Sequence, residues 1–439
     1  MCSFIKLSAI AVLVVSLTGC TKRTDPGEHL PTIQQGSVIF IHPDGSGANM
    51  WQAMRLFKVG PDKNTFWDDM DHMGLYRSHQ ADCITTSSHA GATVHAFGKK
   101  VPYETYGVHP DRPVISLSGK TFSIMTEAQK AGKSTALINS GHICEPGTGV
   151  FVANASDRGN TDTIAEQIIR SGVDIILSGG EIYLIPEGVK GFHGKPGKRK
   201  DGKNLIEVAK ELGYTVVYEK DELTSLPFET NKVLGVFAAK HTFNDLSEEE
   251  LAENELPMYE PIAPTLAEMT DFALKLLEYK QRPFLMIIEE EGSDNFANKN
   301  NALGALTALS RADEAIGVAQ NYINYYPNTL LITAADSDAG GMQACTFGND
   351  LIPGDSLPPF NSNGAPVDGI NGTGTMPFIA KPDRNGNELQ FAITWATYDD
   401  VYGAVIAKAH GLNAERLPNN VDNTEIYKLM YVTLFGHLP

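Results

Sequence analysis

Three apolar stretches, far apart in the sequence, each deliver a carboxylate where a strand should give way to a loop. They are residues 38–45 with Asp44, residues 284–289 with Glu289, and residues 329–336 with Asp336. Such runs are typical of strands buried on both faces, and the carboxyl ends of parallel strands meet at one crevice. Three acids gathered there would repel one another strongly at low dielectric. The sequence therefore predicts that they share divalent cations.

A run of small and hydroxyl residues, 85–93, enters a predicted helix at 90–97 and contains Ser87, Ser88 and His89. The N-terminus of a helix has free backbone N–H groups and a favourable dipole, which together bind phosphate well. A serine at this position is therefore a candidate nucleophile toward a phosphoryl group. Plain N-capping is the alternative, because Ser and Thr cap many helices.

Strand-like and helix-like segments alternate along the rest of the chain, and this alternation positions the two candidate groups. It predicts an α/β fold, a three-layer α/β/α sandwich around a large, mostly parallel sheet. Residues 187–203 form a Gly- and Lys-rich loop, and residues 349–387 form an excursion or lid without clear periodicity. The predicted strands are 134–138, 173–177, 214–218 and 232–239, and the predicted helices are 120–133, 160–172, 204–212, 264–279 and 301–325.

Composition describes a folded protein with an acidic surface. The chain has 35 basic and 53 acidic residues, a formal net charge of −18, and 42% hydrophobic residues. This balance argues against nucleic acid as a partner, because phosphate backbones attract basic surfaces. Cys83, Cys144 and Cys345 are too few and too widely spaced for a disulfide framework or a zinc cluster, so buried free thiols are expected.

The first residues have the pattern of an export signal. Residues 7–17 are apolar but too short to span a bilayer, and they end at Leu17-Thr18-Gly19-Cys20. This ending resembles a bacterial lipoprotein signal, in which the cysteine is lipidated. We therefore expect a signal peptide at 1–20, a tether at 21–35, and one catalytic domain at 36–439. The protein would be exported and anchored to a membrane by lipid on Cys20, in the periplasm or at the outer membrane or cell surface. An ordinary secretory signal is the alternative, and the sequence does not decide between a monomer and a homodimer.

The order and spacing of several motifs resemble the alkaline phosphatase family. In that family a metal-bridging Asp lies in Asp-Gly-x-Gly, as in Asp44-Gly45-Ser46-Gly47 here. The nucleophilic serine precedes a Thr by five residues and a Gly by ten, spacings that Ser88, Thr93 and Gly98 reproduce. The resemblance continues to the C-terminal region and covers nearly all of the chain after the tether. It implies that Ser88 attacks phosphorus and becomes a phosphoserine.

The resemblance also implies a substrate-binding arginine, which best matches Arg158, a fork suited to two phosphate oxygens. The family has Asp immediately before the nucleophile, where it orients this arginine, and this chain has Ser87. A surface arginine in a salt bridge is the alternative for Arg158.

The implied metal ligands depart from the family pattern in one direction. Where the family has zinc-binding histidines, this chain has oxygen donors at Asn298, Ser337 and Asp400. Glu145 stands before Pro146 at the magnesium-like site, where the family often has Thr or Ser. Carboxylates and other oxygen donors suit magnesium, calcium and manganese better than zinc. The full predicted set of ligands is Asp44, Glu145, Glu289, Asp294, Asn298, Asp336, Ser337 and Asp400.

Three histidines lie near these residues in sequence: His42, His89 and His142. Each is expected to pack or hydrogen-bond rather than to ligate metal. His89 is the best placed for a role, as a substrate contact or a general acid for the leaving group.

The sequence as a whole predicts a phosphomonoester hydrolase that acts on small phosphorylated substrates with two to three divalent ions, with Mg and Ca or Mn favoured over Zn. Arg158 would grip the transferred phosphoryl group, with Ser87 and His89 beside it. One alternative is a phosphodiesterase or another phosphoryl-transfer enzyme of the same superfamily. Another is a lipoprotein that binds phosphate or metal without chemistry.

Overall fold

The first strand shows how the sheet is covered. Along β1, Ser37–Pro43, alternate side chains belong to two separate apolar cores, Val38 and Phe40 to one and Ile39 and Ile41 to the other. Since successive side chains of a strand point to opposite faces, both faces of the sheet are buried under helices. This is the predicted three-layer α/β/α arrangement.

The computed structural model describes residues 32–109, 111–346 and 355–439. Ile33–Pro439 forms a single compact unit. The signal at 1–20, Cys20 and most of the tether lie outside the described residues. Within the described part of the chain, the helices are each too short or too polar to cross a bilayer.

Helices and strands alternate much as the sequence predicts. The helices are α1 Ala48–Lys58, α2 Ser88–Phe97, α3 Ile124–Lys130, α4 Pro146–Gly149, α5 Thr161–Arg170, α6 Leu205–Glu211, α7 Lys220–Thr224, α8 Glu248–Glu253, α9 Leu266–Tyr279, α10 Gly292–Ala297, α11 Ala302–Tyr325 and α12 Thr424–Phe435. After β1, the strands are β2 His72–Arg77, β3 Ser134–His142, β4 Ile175–Gly179, β5 Tyr214–Val217, β6 Lys232–Val236, β7 Phe284–Glu290, β8 Thr329–Thr333, β9 Asp338–Ala339, β10 Gln343–Cys345, β11 Val367–Gly369, β12 Gly372–Thr373, β13 Phe378–Ile379, β14 Gln390–Thr394, β15 Asp400–Val401, β16 Val405–Gly411 and β17 Asn420–Asp422.

The central sheet has ten described strands in the order β17-β2-β16-β8-β1-β7-β3-β4-β6-β5. The seven from β8 to β5 run parallel, and β16 pairs antiparallel with both β8 and β2. The prediction of a mostly parallel sheet is confirmed. The strands β1, β7 and β8 that carry the predicted acids are neighbours at its centre.

Helix boundaries follow their caps. Ser123 accepts a hydrogen bond from Thr126 N, so α3 begins later than the predicted 120–133. Thr265 and Glu268 form a capping box that starts α9. Asn301 caps α11 by accepting from Gly304 N. In each case a side-chain acceptor satisfies a backbone N–H that the first turn leaves free.

The excursion predicted at 349–387 contributes three strands to a small second sheet. Strands β10, β11, β12, β13 and β14 form this five-stranded sheet. Its strands are only two to five residues long, too short for an alternating pattern to show in the sequence. Residues 347–354 lie outside the described part.

The three described cysteines of the domain are free thiols. Cys144 is buried, as expected, whereas Cys345 is only half-buried and Cys83 is exposed. Cys83 lies in an irregular loop before α2, which gives it no core to pack into.

Candidate active site

The carboxyl edge of the central sheet brings the three strand-end acids together. β1 pairs with β7 so that His42 lies beside Glu289, and β1 pairs on its other side with β8. Asp44 directly follows β1, and Asp336 follows β8 by three residues. Asp44, Glu289 and Asp336 are each fully buried. The strand order therefore delivers these acids from remote parts of the sequence to one place.

Two further predicted acids join them. Asp44 and Asp336 lie within hydrogen-bonding reach of each other, and so do Asp294 and Asp400. Asp294, on α10, packs on the turn after β1, where a Cβ atom at Gly45 would lie 2.5 Å from Asp294 Oδ1. Gly45 also has φ +62°, so glycine is required there both by backbone conformation and by space. Asp44, Asp294, Asp336 and Asp400 thus form one cluster, here called the acid cluster.

Asn298, a predicted ligand, contacts the acid cluster through its side-chain amide nitrogen. Its Nδ2 donates to both carboxylate oxygens of Asp294, at 3.2 Å each, and to Asp400 Oδ1 at 3.0 Å. Its Oδ1 accepts from Gly340 N at 3.2 Å, which fixes the orientation of the amide. Asn298 therefore orients two carboxylates, and its role as a metal ligand stays a prediction.

Several buried oxygens of this centre have no hydrogen-bond partner among the described residues. Burial, followed by repulsion from Asp44, raises the pKa of Glu289 to about 8, and burial with neighbouring carboxylates raises the pKa of Asp294 and Asp336 well above its usual range. Buried oxygens without a hydrogen bond among the described residues include Asp44 Oδ2, Glu289 Oε1, Glu291 Oε2, Asp336 Oδ1 and Oδ2, and Ser337 Oγ. Buried polar groups are almost always satisfied, so this set fits divalent cations held by oxygen donors.

Glu145 forms a second part of the centre. Its Oε1 lies 2.8 Å from His142 Nε2 and 3.7 Å from His241 Nε2, and its Oε2 lies 3.6 Å from Arg158 Nη2. Burial alone would raise the pKa of Glu145, but these cationic or N–H-bearing neighbours lower it. Glu145 is therefore an ionised acceptor between two imidazoles and the guanidinium.

Short helix α4 connects Glu145 to the strand-end acids. A Cβ atom at Gly147 would lie 1.8 Å from Glu289 Oε1, so the glycine lets the start of α4 lie directly on this carboxylate. The other Glu289 oxygen accepts a hydrogen bond from Asn139 Nδ2. Glu145 and Glu289 thus both adjoin the start of α4, and the third cation between them stays a prediction.

Arg158 lies at the rim. Its side chain is 45% exposed, and Glu145, Glu291 and Asp44 raise its pKa against the lowering effect of burial. The guanidinium keeps an ionic neighbour on one side and solvent on the other. This is the environment of a group that could bind an incoming anion.

Ser88 is the first residue of α2 and is half-buried. A Cβ atom at Gly91, one turn later, would lie 2.6 Å from Asp336 Cβ. Residues three apart share one face of a helix, so Ser88 lies on the face of α2 that packs on the acid cluster. The predicted nucleophile and the predicted cation site are adjacent.

Ser87 caps α2. Its Oγ accepts from Ala90 N at 3.3 Å and donates to Tyr103 O at 2.6 Å. Both contacts bind backbone, and Arg158 is instead held beside Glu145. The Ser87 hydroxyl thus caps α2 and fixes the rim at Tyr103, and it also lies 3.5 Å from His89 Nε2. Its contact with substrate stays a prediction.

His89 is buried beside the rim. Burial, followed by the positive charge of Arg158, lowers the pKa of His89 to about 4. The imidazole is neutral at neutral and alkaline pH, so it can donate one N–H hydrogen bond but holds no extra proton for a leaving group. This favours the substrate-contact alternative over the general acid.

Thr93 and Gly98, which carried the family spacing, have structural tasks. Thr93 Oγ1 donates to His89 O at 2.7 Å and accepts from Gly107 N at 3.1 Å, which ties α2 to the neighbouring loop. Gly98 ends α2 with φ +68°, packed on the ring of Tyr427. The spacing of Ser88, Thr93 and Gly98 therefore reflects how α2 is fixed to the loop at Gly107 and how it ends.

Three residues beside the predicted ligands were not expected from the sequence to bind metal. His42, Glu291 and His241 lie in groups of ligand atoms within 4.8 Å of one another, with Asp44 or Glu145. His42 had a signal, since it lies two residues before Asp44 and therefore on the same face of the strand. His241 had only its position after the predicted strand 232–239. His142, expected to pack or hydrogen-bond, donates to Glu145.

Comparisons with known proteins give the family and the fold. The family model described as alkaline phosphatase matches residues 36–361. The chain belongs to the alkaline phosphatase family. Members of this family are phosphoryl-transfer hydrolases that bind divalent metal ions.

Among curated alkaline phosphatases, alkaline phosphatase 4 of Bacillus subtilis is 26% identical over 317 residues, which cover 70% of this chain and 62% of that protein. The repressible alkaline phosphatase of Saccharomyces cerevisiae is 26% identical over 328 residues, which cover 70% and 55%. The chain thus spans a little over half the length of these relatives.

Solved alkaline phosphatases share the fold. The Thermus thermophilus structure superposes with a TM-score of 0.71 at 19% identity and covers 93% of this chain and 94% of its own. The enzyme from the Antarctic bacterium TAB5 has a TM-score of 0.68 at 20% identity, with 92% and 98% covered. A mutant of the TAB5 enzyme carries bound Mg.

Proposed function

We propose that this member of the alkaline phosphatase family hydrolyses phosphate monoesters through a phosphoserine on Ser88. The observation that carries the proposal is the juxtaposition of a half-buried serine at a helix N-terminus with an acid cluster in which Asp44 Oδ2 and both Asp336 carboxylate oxygens are buried without a hydrogen-bond partner among the described residues. Buried carboxylates in this state need cations, and a cation beside a serine hydroxyl favours its ionised form.

In the proposed reaction, Arg158 and the start of α2 bind the phosphoryl group, and Ser88 forms the covalent bond to it. Arg158 binds two oxygens of the transferred group, and backbone N–H groups at the start of α2 contact a third. Ser88 Oγ forms a bond to phosphorus as the ester bond breaks, and the leaving oxygen gains a proton from solvent. Water then attacks the phosphoserine, the bond to Oγ breaks, and Ser88 regains its proton.

Asp44, Asp336, Ser337, Asp294 and Asp400 would hold the catalytic cations, with Glu145 and Glu289 near a third. When bound, such ions lower the pKa of hydroxyl groups and offset the charge on the leaving oxygen. Because oxygen atoms predominate among these donors, we propose that Mg, Ca or Mn is favoured over Zn at the two positions that lack imidazole. The bound Mg of the TAB5 mutant is consistent with magnesium use in this fold.

We further propose small phosphorylated molecules as substrates, and export with a lipid anchor on Cys20. The net charge of −18 supports the first point, because a strongly acidic surface disfavours nucleic acid. The apolar stretch ending in Leu17-Thr18-Gly19-Cys20 supports the second. Globomycin-sensitive processing and loss of membrane association in Cys20→Ala would test the anchor.

The experiment for the activity compares two substrates and two serine variants. 4-Nitrophenyl phosphate should turn over faster than bis(4-nitrophenyl) phosphate, and Ser88→Ala should lose roughly 10³-fold or more in kcat. Ser225→Ala, an exposed serine after α7, is the matched control and should retain full activity. Faster turnover of the bis-ester would favour a phosphodiesterase, and metal-dependent phosphate binding without turnover would favour a binding protein.

A further inference from the structure

His42 is placed as metal-ligating histidines are placed. It lies at the end of β1 with 1% of its surface exposed. Its Nδ1 lies 2.7 Å from the backbone oxygen of Ala334. A carbonyl oxygen can only accept, so Nδ1 carries the hydrogen and donates it. Metal-bound histidines commonly donate their second ring N–H to a carbonyl in this way, which fixes the tautomer and aims the other nitrogen.

The other nitrogen of His42 points at the carboxylates. Nε2 is buried without a hydrogen-bond partner of suitable geometry and lies 3.2 Å from Asp44 Oδ1. The ligand atoms of His42, Asp44 and Glu289 all lie within 4.8 Å of one another. The unpartnered imidazole nitrogen and the two neighbouring carboxylates together offer three ligand atoms to one cation.

The distance between Nε2 and Asp44 Oδ1 is compatible with two ligands of one cation. Two donors that each lie about 2.1 Å from one cation, at angles of roughly 90–110°, are themselves about 3.0–3.4 Å apart. The observed 3.2 Å lies in this range, which an ordinary hydrogen bond between the two atoms also reaches. The unpartnered geometry of the buried Nε2 therefore carries the inference, and the distance only permits it.

We infer that His42 Nε2 is a nitrogen ligand of the cation that Asp44 and Glu289 hold. This inference rests on the proposed metal dependence and adds to it. The site then has mixed nitrogen and oxygen donors, which suit Mn, Co or Zn better than Mg or Ca. The chain would thus combine oxygen-only positions in the acid cluster with one position that takes an imidazole.

Neighbouring histidines have other tasks. His95 Nε2 lies 2.6 Å from Tyr76 Oη, and its ring packs edge-on against His42 at 5.5 Å, which holds the His42 ring in place. His142 Nδ1 accepts from Cys144 N at 3.2 Å, so its Nε2 carries a hydrogen and faces Glu145 as a donor. Of these three, His42 alone combines a fixed donor at Nδ1 with an unpartnered Nε2.

The test is pulsed electron paramagnetic resonance on the Mn(II)-loaded full-length protein, purified without chelator. Modulation from a directly bonded ¹⁴N is expected in the parent and should change to ¹⁵N modulation after labelling with ¹⁵N-histidine. His42→Gln should lose the signal and bind one Mn(II) at least about tenfold more weakly. His410→Gln, whose ring pairs with Asp71 away from the site, is the control and should keep both.

The double variant His142→Gln/His241→Gln keeps the assignment testable even where His42→Gln fails to fold. It removes the other two imidazoles found in groups of candidate ligands, so a retained nitrogen signal supports His42. Absence of bonded nitrogen in the parent, or its loss in the double variant, would overturn the inference and leave His42 as a cation beside Asp44. This readout needs no turnover: nitrogen-bound Mn(II) in an inactive protein would keep the inference and refute the phosphatase.

Discussion

Gly91 of α2 lies so close to Asp336 that a Cβ atom at Gly91 would be 2.6 Å from Asp336 Cβ and 2.7 Å from Asp336 Oδ2. The glycine lets the helix that carries Ser88 pack directly on the acid cluster. Gly91→Ala should therefore displace Asp336 and lower kcat/KM at least about tenfold, although alanine is the better helix former by about 1 kcal/mol. Steady-state kinetics and urea unfolding would measure both quantities.

The matched control is Gly317→Ala, in the interior of α11. Its Cβ atom would lie 2.7 Å from the ring of Phe66, a contact just as tight but on an exposed ring remote from the site. Activity should be unchanged. If Gly91→Ala is as active as the parent, activity does not depend on the close packing of Gly91 on Asp336.

Arg158 should contribute mainly to phosphate binding. Arg158→Ala removes the two-pronged contact with the phosphoryl oxygens, and we expect kcat/KM for 4-nitrophenyl phosphate to fall about 10- to 100-fold. Arg158→Lys should recover only part of this loss, because an ammonium group cannot form the fork. Arg170→Ala, which breaks an exposed pair with Glu166, is the control and should be silent. If Arg158→Ala leaves kcat/KM unchanged, Arg158 forms only a surface salt bridge.

The oxygen donors should set metal preference. Metal analysis of protein purified without chelator should find Mg, Ca or Mn in the acid cluster, and tightly bound stoichiometric zinc at both catalytic positions would contradict this. Ser337→His and Asp400→His, which restore imidazoles of the family pattern, should raise zinc affinity at least about tenfold. Asp399→His, on an exposed neighbour, should not change it.

Glu248 should make stability depend on pH. Burial, followed by repulsion from Asp368, raises its pKa to about 8 in the folded state. The folded protein therefore binds this proton more tightly than the unfolded chain, so the stabilisation is full below about pH 4 and falls as pH rises toward 8. Glu248→Gln keeps an oxygen that accepts from Leu303 N but cannot titrate. It should therefore reduce the loss of unfolding free energy at high pH by about 1 to 3 kcal/mol. Urea unfolding of the parent and of the variant at pH 5 and pH 8 measures the free energy of unfolding. The same loss of stability between the two pH values in both proteins would contradict the prediction.

The meeting of the strand-end acids could be predicted, because apolar runs identify the strands and parallel pairing places their carboxyl ends at one edge of the sheet. Apolar runs identified β1, β7 and β8, and parallel pairing then required Asp44, Glu289 and Asp336 to meet. The bond from Gly340 N to the Asn298 amide oxygen could not be predicted, because nothing in the sequence pairs these two residues. His241 reaches Glu145 through a loop whose path has no sequence signal.

Trapping of the phosphoserine is the most direct test of the central claim, that cations gathered by remote carboxylates serve Ser88. The metal-loaded protein would be incubated with inorganic phosphate at acidic pH, quenched and digested, and its peptides examined by mass spectrometry. A phosphoryl group should be found on Ser88, and it should disappear after chelation and in Ser88→Ala. An active enzyme with Ser88 unmodified, or with the phosphoryl group on another residue, would contradict the account.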